Sequence, residues 1–309
     1  MSKKLRSVPR VILLSALAFL GCHQFLATDA QEAPAQIEIA GRRVVMWKPA
    51  GLAPANGYPL ILFSHGFTGC GTQSVFLTDA LAQNGYFVLA PNHRDAMCGG
   101  GARDEATLFA NLTSTRSEAR FGRPDAWTEE TYRNRRDDLE AILDTVVKQK
   151  AFEGVPIDLR HIGLAGHSLG GYTVLALAGA WPSWKDQRIK AVLALSPYCQ
   201  PFIKKGNLGH LDVPIMYQGG TRDFGITPWI RRPGGAYELS SAPKYYVELD
   251  GAGHFAWTNL NKSYQSVINA YSVAFFDSYL KGTTKPERLA HLLDRPWPER
   301  VSEFKYEVQ

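Results

Sequence analysis

Along the chain, short apolar runs alternate with longer stretches of helical spacing. Ile37 to Trp47 reads as one or two early strands. Leu60 to Ser64 is a compact apolar run that enters His65-Gly66, as a buried strand feeding a loop would. Tyr86 to Ala90, closed by Pro91, repeats that form, as do Ile162 to Ala165, Ile189 to Leu195, Ile215 to Gln218 and Tyr245 to Leu249. Between them lie predicted helices. Phe76 to Gln83 stops at Asn84-Gly85, and Ser168 through Leu177 follows the fourth run directly. Glu129 to Lys150 sets Leu139, Ile142, Leu143, Val146 and Val147 on one face, with the charged residues on the other. The final helix, Tyr264 to Leu280, groups Val267, Ile268, Tyr271, Phe275 and Tyr279, and ends at Lys281-Gly282. Strands alternating with helices predict an α/β fold, a mostly parallel sheet of about eight strands flanked by helices. Neither a repeat nor a linker divides it, so residues 31–309 form one expected domain.

Two segments break the pattern. Residues 98–128 are polar, contain Gly99-Gly100-Gly101, and are longer than most loops of compact domains. They follow a strand end on the side where ligands enter open α/β sheets, and so read either as a rim over a cleft or as a tolerated insertion. The first 30 residues carry Lys3, Lys4, Arg6 and Arg10 ahead of the apolar run Val11 to Leu20. That run is too short to span a bilayer and has the flanks of an export signal, so an exported protein is expected. Thr28-Asp29-Ala30 offers one cleavage site. Phe19-Leu20-Gly21-Cys22 offers another, which would make Cys22 a lipidated N-terminus and bring the protein to a membrane. Cutting after Ala30 removes four basic residues and Asp29 from a net charge of +5, which leaves about +2 and gives no footing for a nucleic-acid partner.

Export also permits disulfides. Cys70 and Cys98 follow neighbouring strand ends, so one reading joins them and leaves Cys199 free, and another leaves all the thiols unpaired. No Cys or His pair has zinc-ligand spacing, so no metal site is expected.

The strongest chemical signal is Gly166-His167-Ser168-Leu169-Gly170-Gly171, a G-x-S-x-G between an apolar strand and an apolar helix. Such a turn crowds the backbone around the serine and lifts its hydroxyl above the sheet. A serine needs a base, and the base needs an acid to hold its tautomer. His254 follows the last core strand in Asp250-Gly251-Ala252-Gly253-His254. Asp223 follows the strand before it, and is preferred to Asp250 and Asp212. The oxyanion would take two backbone amides, those of Leu169 and Phe67, the latter in His65-Gly66-Phe67-Thr68-Gly69. His65 reads as shaping that loop through a backbone hydrogen bond, with a second base as the alternative. Phe67, His167, Tyr198, Phe224, Ile226 and Phe255 fall at strand ends around the site and are candidate substrate contacts, with Trp257 close by.

From Pro59 to Leu280 these pieces resemble the α/β-hydrolase fold, in its dienelactone-hydrolase-like branch. That branch borders bacterial cutinases and polyester hydrolases on one side and platelet-activating-factor acetylhydrolases on the other. The matching residues are Ser64 to Gly69, Gly166 to Gly171, Gly219 to Asp223, and Gly253-His254-Phe255. The resemblance implies a cofactor-free ester hydrolase working through an acyl-enzyme. Dienelactone hydrolases have a cysteine where this chain has Ser168. Acetylhydrolases take their acid from the loop where this chain has Ser196-Pro197-Tyr198, so the placement of Asp223 is closer to cutinases. The expected substrates are short-to-medium acyl or aromatic esters, small or polymeric, with a phospholipid or acyl-lipid hydrolase as the alternative. A binding protein that had lost catalysis would not need the complete set of parts, and a peptidase of this fold would need a larger cap. A monomer is the default.

Overall fold

A computed structural model of the protein describes residues 33–98, 118–149, 151–241, 243–283 and 300–308, together with Lys285 and Leu289. The expected export segment with Cys22 and most of the 98–128 insertion lie outside the described residues.

Ten strands form one sheet. Ala35–Ile39 (β1) and Arg42–Trp47 (β2) make an antiparallel hairpin at one edge. Tyr58–Ser64 (β3), Phe87–Pro91 (β4), Val155–His167 (β6), Ile189–Leu195 (β7), Ile215–Gly220 (β8) and Lys244–Leu249 (β9) form the parallel centre. Ala151–Phe152 (β5) pairs only with β6, and Val301–Glu307 (β10) lies antiparallel on β9. The order is β1-β2-β4-β3-β6-β7-β8-β9-β10. Strand order reverses around β3, which brings the loops after β3, β4 and β6 to one crevice.

Each strand splits its side chains between two cores. On β3, Leu60 and Leu62 face one apolar layer while Ile61 and Phe63 face the other. Arg133–Gln149 (α2) and Leu169–Leu175 (α3) cover the first layer. Val75–Gln83 (α1) and Gln265–Phe276 (α4) cover the second. α4 runs on as a wide π-type turn to Lys281, where Gly282 takes φ 64°. Burial on both faces explains why these strands read as unbroken apolar runs.

Three expectations need correction. The sheet has more strands than the expected eight: β5 is too short to show a period, and β10 is a half-exposed edge strand whose Phe304 and Tyr306 alternate with charges. β6 starts at Val155, well before Ile162, because its first residues pair with β5 and with Tyr58 and Pro59. On α2 the charges do not all face water. Arg135 is fully buried, and its role emerges at the site.

Candidate active site

The turn from β6 into α3 is tight and crowded. Ser168 takes φ 55° and ψ −114°, an unusual conformation for a non-glycine residue. The glycines around it make room for the backbone. A Cβ at Gly166 would sit 2.3 Å from the Gly170 carbonyl oxygen, and one at Gly170 would sit 1.9 Å from that of Ser64. The amide of Ser168 donates to Leu195, and its carbonyl accepts from Tyr172 and Tyr198. The strained serine is therefore held by the end of β7, by Tyr198 just beyond it and by α3.

His254 opens the turn after β9, and its Nε2 lies 2.9 Å from Ser168 Oγ. Its Nδ1 faces two oxygens: Ser196 Oγ at 2.9 Å and Asp223 Oδ2 at 3.3 Å. Ser196 in turn donates to Asp223 Oδ2, and Thr227 donates to the same oxygen at 3.3 Å. This pattern requires Nδ1 to carry the proton, which leaves Nε2 free to accept from the serine hydroxyl. Burial works against the Asp223 carboxylate, but the hydrogen bond and charge of His254 and the Ser196 hydroxyl outweigh it and hold its carboxyl below the ordinary value. The acid and base loops are stitched together, Arg222 N donating to the Ala252 carbonyl at 3.0 Å.

The loop after β3 reaches the same point. A Cβ on Gly66 would lie 3.4 Å from Ser168 Cβ, so this backbone borders the nucleophile. The amides of Gly66, Thr68 and Gly69 are bound to Gln73 Oε1, Asp95 Oδ2 and the Gly66 carbonyl. Among the described residues, the Phe67 amide is the one in that run without such a partner. Leu169 is the first residue of α3, where amides have no intrahelical acceptor. Both expected oxyanion donors are thus unspent beside Ser168.

A buried cation fixes the loop. Arg135 donates to both oxygens of Asp95 at 3.0 and 2.7 Å, and to the carbonyls of His65 and Gly66 at 2.6 and 3.1 Å. Burial opposes ionisation of Asp95, yet the charge of Arg135 holds its carboxyl well below the usual range. With both carbonyls turned to Arg135, the peptide between Gly66 and Phe67 has its N–H directed away from the clamp. His65 donates from Nδ1 to the Gly66 carbonyl and accepts the His93 amide at Nε2, so it shapes the loop and does not reach Ser168.

The remaining candidates divide. Phe224 and Phe255 are exposed, and Ile226 is half-buried, beside the acid and base loops. His167 is buried. It braces the base by donating from Nε2 to the His254 carbonyl at 2.8 Å, while Gln73 donates to its Nδ1 at 3.0 Å. Burial, aided by the nearby His254, pushes the His167 imidazole down to about 3, so it is neutral at physiological pH. Trp257 is buried against the same ring. Tyr198 is only 2% exposed, its ring against Phe121 and Trp127 from the described end of the insertion. A disulfide joins Cys70 and Cys98, tying the loops after β3 and β4, and Cys199 is a free, buried thiol.

Ser196, Asp95, Arg135 and Gln73 are the site residues that sequence reasoning missed. A serine after an apolar strand and an arginine in the run Arg133 to Asp138 carry no local mark of their partners.

Comparison with known proteins agrees with this architecture. Residues 59–219, just over half of the chain, match the family described as the alpha/beta hydrolase fold. Cutinase 2 of Thermobifida cellulosilytica is 28% identical over 234 residues, covering 74% of this chain and 71% of that protein. Cutinase cut1 of Thermobifida fusca is also 28% identical over 234 residues, but this stretch is 59% of its length. Cutinase est2 of Thermobifida alba is 27% identical over 233 residues, 62% of its length. The match spans the elbow serine, the loop after β3 and the strand leading to Asp223, and on it the chain belongs to the α/β-hydrolase fold family, close to the bacterial cutinases.

Proposed function

We propose that this protein is an exported serine carboxylic ester hydrolase, acting through an acyl-enzyme on short-to-medium acyl or aromatic esters, small or polymeric. The observation that carries the reading is the continuous string Ser168–His254–Asp223, with two unspent amides beside the serine. In this reading Ser168 Oγ attacks the ester carbonyl carbon while His254 Nε2 takes its proton. The tetrahedral oxyanion is held by the amides of Phe67 and Leu169. The carbon–oxygen bond to the alcohol breaks, and Nε2 returns the proton to the departing oxygen. Water then attacks the acyl carbon, gives its proton to Nε2, and releases the acid as Ser168 recovers its hydrogen. Asp223 keeps Nδ1 protonated and stabilises the imidazolium, while Ser196 positions both. The disulfide, the basic-then-apolar N-terminal segment and the cutinase names of the relatives support export and an ester substrate.

The test is a ladder of p-nitrophenyl esters from acetate to palmitate, given to the mature domain beside Ser168→Ala. Turnover that depends on Ser168 and is highest on acetate to hexanoate is expected. A preference for long chains would move the assignment to lipids, and no Ser168-dependent turnover on any rung would sink it.

A further inference from the structure

We propose that Phe121 sets the acyl-length limit of the site by filling the space between the two aromatic residues that flank the nucleophile. The inference rests on the ester-hydrolase reading above. Phe67 follows Gly66, whose backbone borders Ser168, and Tyr198 donates its own amide to the Ser168 carbonyl at 3.0 Å. Two aromatic side chains therefore spring from the two sides of the nucleophile. Left apart, they would bound an apolar slot for a flexible chain.

Phe121 occupies that slot. Its ring meets Phe67 edge-on, with centroids 5.5 Å apart and planes at 65°, and meets Tyr198 at 5.0 Å and 86°. Both are favourable edge-to-face geometries. Trp127 backs the wedge, 5.5 Å from Phe121 and 4.7 Å from Tyr198. The Tyr198 hydroxyl donates to the Phe121 carbonyl, so main chain as well as ring is fixed. Among the described residues, the most exposed aromatic side chains at the site lie elsewhere: Phe224 is 79% exposed and Phe255 40%. One side of the cleft is thus filled by the protein's own rings, and a long acyl chain would have to displace one of them.

The experiment compares the wild type, Phe121→Leu and Phe121→Ala on p-nitrophenyl acetate, butanoate, octanoate and decanoate, with Ser168→Ala as the blank. Removing ring volume should raise kcat/KM for octanoate relative to acetate at least tenfold in Phe121→Ala, with Phe121→Leu between, since each extra methylene that finds an apolar slot is worth roughly tenfold or more. An unchanged octanoate-to-acetate ratio in both variants would overturn the inference while leaving the esterase reading standing. So would a wild type that already prefers decanoate. Should Phe121→Ala not fold, the ratio in Phe121→Leu decides. Absence of Ser168-dependent turnover in the wild type would remove the underlying reading itself.

Discussion

Two Ser–His–Asp strings lie among the described residues. In one, Ser168 Oγ, His254 and Asp223 are joined at 2.9 and 3.3 Å. In the other, Ser64 Oγ meets His93 Nε2 at 2.9 Å and His93 Nδ1 meets Asp138 at 3.0 Å. Distances alone would rank the second higher. The difference lies in what water and backbone allow. The His254 side chain is 27% exposed and that of His93 is fully buried. Ser64 ends an extended strand deep in the sheet, whereas Ser168 stands in the strained elbow. The strings also open at opposite ends: the second meets solvent only at Asp138, which Arg42 covers with an ion pair at 3.0 Å. Burial, then the charge of Arg135, lowers the His93 imidazole to about 4, so it resists the proton a base must accept. In the proposed reading, the same three residue types make a reaction centre in one place and a structural rivet in the other.

The sharpest way to break this comparison is to delete both serines separately. Ser168→Ala should cost roughly 10⁴–10⁶-fold in kcat with the fold intact. Ser64→Ala should keep turnover within about tenfold and lose about 1–3 kcal/mol of stability, because the buried His93 Nε2 loses its donor. Denaturant titration beside ester assays reads both, and the reverse assignment would follow if Ser64→Ala were the inactive one. Next in size is Asp223→Asn, expected to lower kcat about 10³–10⁴-fold by spoiling the tautomer of His254. Ser196→Ala should cost about ten- to a hundredfold in kcat with KM little changed, and Ser196→Thr should recover part of it. Equal losses in kcat and KM for Ser196→Ala would reduce it to packing.

Reduction of Cys70–Cys98, which closes a separation of 28 residues, should cost about 3–4 kcal/mol and lower the thermal midpoint accordingly. The remaining expected effect is with pH. His93 and His167 have folded values of about 4 and about 3, below the ordinary ~6.5 of the unfolded chain. The unfolded state therefore binds more protons, and their contribution is complete above pH ~6.5 and falls away as the pH drops from there toward 4. A thermal midpoint that did not fall over that interval would contradict the neutral, buried state of these rings.

Much of this was legible beforehand because it is written locally or in chain order. The G-x-S-x-G carries its own steric reason, which the crowding at Gly166 and Gly170 reproduces. Asp223 and His254 could be placed because successive parallel strands deliver their loops to one rim. Ser196 and Arg135 could not. Their partners are distant in sequence, Arg135 lying 70 residues from His65 and Ser196 lying 58 from His254. Arg135 was also camouflaged, since an arginine among charged neighbours on a helix usually faces water. β10 escaped for a related reason: a half-exposed edge strand shows only a faint alternation.

That edge strand has a consequence for how the protein stays soluble. β9 is buried on both faces, and without a neighbour its outer rim would offer a bare ladder of amides and carbonyls to any other chain. β10 covers this rim antiparallel and presents Glu303, Lys305 and Glu307 along its length, with Lys244 reaching back to Glu307 at 3.1 Å. It is also the last strand in chain order, so until it docks, the parallel sheet has an open, sticky border. The seven residues of β10 thus close a border on which copies of a chain could otherwise stack strand on strand.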